Sequence, residues 1–168
     1  GDGESLRPSI ITRKTKRKDA SVDTKDQESV FGKVPYFIQR NLYAGKGGIG
    51  IEESPDPMYL ALVNCTACHK NKDLSVHPLT CNVCHKKGFD KTMAEQTEYI
   101  KNKLSTLSEL IKNSSKNGLS ETLIDEVRYN YTLIVNDGSF GVHNIKYVKD
   151  LINYSTDRLN DTSRTDTN

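Results

Sequence analysis

Two short stretches decide how this chain is read: Cys65-Thr66-Ala67-Cys68-His69 and Cys81-Asn82-Val83-Cys84-His85. Both are Cys-x-x-Cys-His, the attachment signature of c-type haem. The spacing has a physical cause. Two thiols separated by two residues reach the two vinyl groups on one porphyrin edge. The following residue then lies under the iron and offers an imidazole. The motifs use all four cysteines of the chain. Zinc is a rival reading, because two Cys-x-x-Cys pairs approach ribbon-type spacing and four thiolates suit structural zinc. Disulfides are a third. Neither explains a His directly after each pair, and the chain has only four histidines in 168 residues. Two covalent haems are the expectation, with Cys65, Cys68, Cys81 and Cys84 as attachment points and His69 and His85 as proximal ligands.

Each iron has two axial positions. The chain holds two further histidines, His77 and His143, so four imidazoles match four positions. Bis-histidine ligation of both irons is therefore expected, with His77 and His143 as distal ligands. The same residues also fit plainer roles, His77 as an exposed loop residue and His143 as an ordinary histidine at a helix start. Met58 and Met93 rank below the histidines as ligands. His77 lies four residues before Cys81 and cannot easily cross to the far face of the second haem. It more easily serves the first haem, or a haem in a neighbouring chain. By elimination, His143 then faces the second.

Outward from the motifs, residues 91–113 carry Met93, Thr97, Ile100, Leu104, Leu107 and Ile111 at steps of four and three. That is an a/d seam and predicts a helix. A second helix is predicted over 120–135, capped by Ser120 and facing inward with Leu123, Val127, Tyr131 and Ile134. A third is predicted over 144–159, with Ile145, Val148, Ile152 and Leu159 on one face. The short link between the first two argues for a helical hairpin. These stripes read as core. Met58–Val63 suggests a short helix leading into the first motif. Gly45-Lys46-Gly47-Gly48-Ile49-Gly50 is not a phosphate loop: no Gly-Lys-Ser/Thr occurs and no helix start follows. It reads as a flexible loop.

Residues 1–30 read as a polar, basic extension, flexible or partner-docking, around Arg13-Lys14-Thr15-Lys16-Arg17-Lys18. Residues 31–159 form the expected haem domain, and 160–168 a disordered tail, with the polar end fraying from Thr156. Composition sets further bounds. Hydrophobic residues are 35%, with 11 glycines, a little under the usual apolar share of roughly 45–50%. Mean hydropathy is −0.65. Two macrocycles would supply the missing apolar volume. Net charge is +2, from 24 basic and 22 acidic residues, too balanced for a nucleic-acid binder. No apolar run is long enough to cross a bilayer.

From Pro57 to Leu159 the chain resembles multihaem c-type cytochromes. The leader Pro57-Met58-Tyr59, the two closely spaced motifs, the hairpin and Asp137-Gly138-Ser139-Phe140-Gly141-Val142-His143-Asn144 carry the likeness. The last element is similar to the C-terminal part of pentahaem nitrite reductases and related cytochromes. In that family the His is commonly a distal ligand, which the resemblance implies for His143. The family's usual Pro after the Asn is Ile145 here. Its Cys-x-x-Cys-Lys motif is absent, so reductase activity does not carry over.

The expected fold is mainly α: a dihaem cytochrome c with a loop-rich haem segment on a C-terminal hairpin plus a third helix, and an extended N-terminal tail. The expected function is electron transfer between redox partners in a respiratory chain, because a six-coordinate iron changes oxidation state without changing ligands. The expected partners are redox proteins, other cytochrome subunits or further copies of the chain. An alternative is a haem-bearing subunit of an oligomer, polymer or sensor. A small-substrate reductase is another, should one axial position be open. The resemblance implies attachment of haem outside the cytoplasmic membrane, hence a periplasmic or extracellular protein. Residues 1–30 contain no apolar leader, so the chain is expected to be a mature form or a fragment.

Overall fold

A computed structural model describes residues 37–114 and 118–161. The expected extension over 1–30 lies outside them, as does all of the expected tail beyond Asp161. Among the described residues the fold is mainly α, with no strand. Five helices run in order: α1 (Ile38–Tyr43), α2 (Pro57–Leu60), α3 (Phe89–Ser114), α4 (Glu121–Asp137) and α5 (Ile145–Asn160). Two 3₁₀ turns, Cys65–Ala67 and Pro78–Val83, carry the cysteines.

The three long helices form where the 3.6-residue pattern places them. Each packs on the other two, and α1 packs on α4. From α3 the core takes Ile100, Leu104, Leu107 and Ile111; from α4, Leu123, Ile124, Val127, Leu133 and Ile134; from α5, Tyr147, Val148, Leu151, Ile152 and Leu159. The buried part of α3 begins at Ile100. Its first turns, with Met93 and Thr97 only half-buried, extend from the core toward the cysteine segment. There the second 3₁₀ turn packs on α3, and Asn82 donates its amide to Asp90 at 3.0 Å.

Capping follows local chemistry. Ser120 accepts from the Leu123 N–H at 3.3 Å, as its position predicts. Asp56 accepts from the Met58 N–H, with Pro57 as the first helical residue. Asn144 starts α5 by accepting from the Tyr147 N–H, while its amide donates to the Ser54 carbonyl at 2.7 Å. That second bond ties the loop before α2 to the start of α5.

Three points differ from expectation. No element was expected before the glycines, where the helix α1 forms with Ile38 and Leu42 buried. The polar end does not fray at Thr156: α5 runs through Asn160, with Leu159 in the core. Glu126 on α4 holds that last stretch, accepting from Tyr154 at 2.6 Å and from Arg158. Thirdly, the glycine segment is pinned. Asn130, wholly buried on α4, accepts from the Ile49 N–H at 2.8 Å and donates to the Ile49 carbonyl at 3.0 Å. The Gly48 N–H donates to the Tyr147 hydroxyl. Glycine is required at Gly50, where φ is +82° and a side chain would run into the Tyr154 ring.

Candidate functional site

The cysteine segment, residues 61–88, is held mainly by local bonds. In each motif the His N–H donates to the carbonyl of the first Cys, 2.8 Å for His69 and 2.9 Å for His85. Asn64 caps the first turn, accepting from the Ala67 N–H. All four cysteines are unpaired thiols, Cys65 and Cys84 exposed and Cys68 and Cys81 partly so. Burial pushes the Cys68 thiol up, and Cys81 and Cys84 beside it add to the rise, partly offset by Lys70. The Cys68 thiol thus lies within electrostatic reach of both cysteines of the second motif. Among the described residues no three of His, Cys, Asp and Glu converge as a metal-binding group.

The histidines divide into two kinds. His143 lies on the turn between α4 and α5. Its Nδ1 is 2.7 Å from Asp137 Oδ1, and a carboxylate only accepts, so Nδ1 carries the proton. Asp137 is the last residue of α4 and its side chain is 1% exposed. It also accepts from the Ser139 N–H and hydroxyl. The Ser139 hydroxyl oxygen in turn accepts from the His143 N–H. His69 is held likewise: its Nδ1 donates to the Leu74 carbonyl. In both rings Nε2 is left as the lone-pair nitrogen. The two ring centres lie 6.3 Å apart, with planes at 45°.

That separation suits a shared metal, although rings in plain contact also adopt it. Two imidazoles binding one metal from opposite sides, each at about 2.0–2.1 Å, have ring centres about 6 Å apart once the ring radii are added. The planes of such ligands share the metal–nitrogen axis, so any angle between them is allowed. The structure thus brings His143 to His69, on the first motif. Elimination set His143 at the second haem; the fold puts its ring beside His69. The reason is that the turn before α5 is carried to the first motif by packing, which sequence distance does not encode.

His77 and His85 have other surroundings. His85 stacks on Phe89, four residues on, with ring centres 3.9 Å apart and planes within 10°. His77 caps the second 3₁₀ turn, its Nδ1 accepting from the Leu79 N–H at 3.2 Å. An accepting Nδ1 places the ring proton on Nε2. This is the opposite tautomer from that of His69 and His143.

The apolar surface around the motifs is unusual. Leu60, Leu62, Leu74, Leu79 and Val83 are exposed, from 56% for Leu79 to 88% for Leu62. Leu62 and Leu74 also sit at φ +57°, which non-glycine residues seldom adopt. Exposed apolar side chains concentrated in one segment mark a surface built to be covered. Unpaired thiols, Nδ1-protonated imidazoles at metal-bridging distance and bare apolar side chains all fit covalent haem. Sequence reasoning missed Asp137 and Ser139, which were visible only as part of a turn. A carboxylate shortly before His143 was the available signal, and it has no fixed spacing rule.

Neither a protein-family model nor a characterised protein matches the sequence. Among solved structures, the chain is similar to the crystal structure of outer cell wall cytochrome OcwA, at 23% identity and a TM-score of 0.61. The match covers 72% of this chain and 29% of that one, so this chain spans under a third of OcwA. The helical scaffold is thus one that a cytochrome also uses.

Proposed function

We propose that this chain is an electron-transfer protein carrying two covalent c-type haems, attached at Cys65 and Cys68 and at Cys81 and Cys84. His69 and His85 are the proximal ligands, and His143 is the second ligand of the iron on His69. The observation that carries the reading is the His69–His143 pair at 6.3 Å, each ring presenting Nε2 because its Nδ1 is occupied. A haem bound there supplies a one-electron iron couple.

The chain's own residues supply the rest. The Leu74 carbonyl and the Asp137 carboxylate fix tautomer and ring orientation, as outer partners of metal-binding histidines do. Held on short, hydrogen-bonded turns, His69 and His143 would keep their hold on a bound iron through a one-electron change. Leu60, Leu62, Leu74, Leu79 and Val83 offer apolar cover. The closeness of the motifs in sequence, Cys65 to Cys81, would favour electron exchange between the two sites. The partners are redox proteins, other cytochrome subunits or further copies of this chain. The location is periplasmic or extracellular, in keeping with the family resembled and with a neighbour named for the outer cell wall. No described helix is long and apolar enough to cross a membrane.

The test is production in a host that matures c-type cytochromes, followed by intact mass and a haemochrome assay. A mass increment of two haems with a low-spin electron-paramagnetic-resonance signal is expected. A colourless product without the increment overturns the reading.

A further inference from the structure

Resting on that reading, we propose that the iron at His85 has one axial position free of this chain's side chains, which binds small π-acceptor ligands such as carbon monoxide. The histidine supply is the first ground. The chain has four, and His69 and His143 are paired with each other. His85 is the proximal residue of the second motif. Only His77 is left to complete that site.

His77 is held away from the task in two ways. It caps the same 3₁₀ turn, Pro78–Val83, that carries Cys81. A residue directly joined to the attachment turn has too little chain to reach the opposite face of the same macrocycle. Its tautomer is also wrong. Nδ1 accepts the Leu79 N–H at 3.2 Å, and moving the proton to Nδ1 to free Nε2 for a metal would cost that cap. His69 and His143 show the reverse arrangement, with Nδ1 donating in both. One chain thus uses one tautomer where two rings face each other and the other where a ring caps a turn.

The proximal side of the second motif is well supported. His85 stacks on Phe89 at 3.9 Å, and Asn82 is tied to Asp90 at 3.0 Å. Both partners belong to the first turn of α3. Leu79 and Val83, in the attachment turn, are exposed and apolar. The two sites therefore differ in kind: one closed by His69 and His143, the other held firmly on one side only.

The experiment uses the full holoprotein, its two haems first verified by intact mass. The reduced protein is titrated with carbon monoxide and followed by Soret difference spectroscopy. The expected result is one carbon monoxide per two haems at every protein concentration. His77→Ala should leave this stoichiometry unchanged, and His143→Ala should raise it to two. Two low-spin haems and no binding overturn the inference while leaving the two-haem reading intact. So does binding gained only in His77→Ala, or in Met58→Ala or Met93→Ala. Binding that appears only on dilution also overturns it, since a second copy would then be covering the position. Absence of the two-haem mass would instead sink the reading beneath it.

Discussion

Asp137 holds His143: the Nδ1–H of the imidazole donates to a carboxylate oxygen at 2.7 Å, and that carboxylate is almost wholly buried. The placement works against the helix field. Asp137 ends α4, where the macrodipole is negative. Ser139 answers with its N–H and hydroxyl, and Gly138, at φ +73°, turns the chain so that both reach back. The carboxylate's partners there are Ser139 and the imidazole.

Asp137→Asn should therefore leave the fold intact and weaken His143 as a ligand. The expected loss in metal–imidazole affinity is about 10–100-fold. Because an imidazole backed by a carboxylate would favour the ferric state, the potential of a haem bound there should rise, by about 59 mV for each tenfold loss in ferric over ferrous affinity. Potentiometric titration of wild type and variant checks this. An unchanged potential would show Asp137 to be structural only.

Gly50→Ala should destabilise the chain by roughly 1–3 kcal/mol. The residue combines φ +82° with a side-chain direction filled by the Tyr154 ring. Tyr154 cannot yield cheaply, because its hydroxyl is bonded to Glu126 at 2.6 Å. Thermal melts are the measurement, and a glycine segment that is loose in solution would tolerate the change.

Asn130→Ala removes the side chain that meets both polar groups of Ile49 and donates to the Ser155 hydroxyl. Each backbone group left bare in a buried place costs about 1–3 kcal/mol. Hydrogen exchange at the Ile49 amide should accelerate well beyond that of the α3 core. Protection equal to wild type would mean that another group takes over the bond.

Stability should fall in alkali. Burial raises the Tyr147 phenol above its ordinary value, and Glu53 and Tyr129 add to this, while the hydrogen bond from Gly48 acts in the opposite sense. Tyr154, Tyr129 and Tyr43 are raised as well, burial being the first cause in each. A raised acid favours its neutral form in the folded state. Its contribution is thus whole below the unfolded value, about 10, and is lost as pH climbs through the folded value. Melting temperature should drop progressively above that pH, and less steeply in Tyr147→Phe. Equal slopes for the two proteins would remove Tyr147 from the account.

The attachment motifs were legible from spacing, because reaching two points on one flat ring is a local demand that Cys-x-x-Cys-His meets within five residues. The long helices were legible too. Ile100, Leu104, Leu107 and Ile111 record in their period which face is buried, and Ser120 announces its helix by chemistry alone. Tertiary structure decided what period and spacing do not carry. Burial periodicity says that a face is covered but not by what, so α1 against α4 and the order of the glycine segment stayed hidden until Asn130 met Ile49. The same holds for the imidazoles. Counting gave four, but which two meet depends on how α3, α4 and α5 pack and so where the turn at His143 arrives. The proton on each ring then follows from a neighbour: a carboxylate for His143, a carbonyl for His69, a backbone N–H for His77.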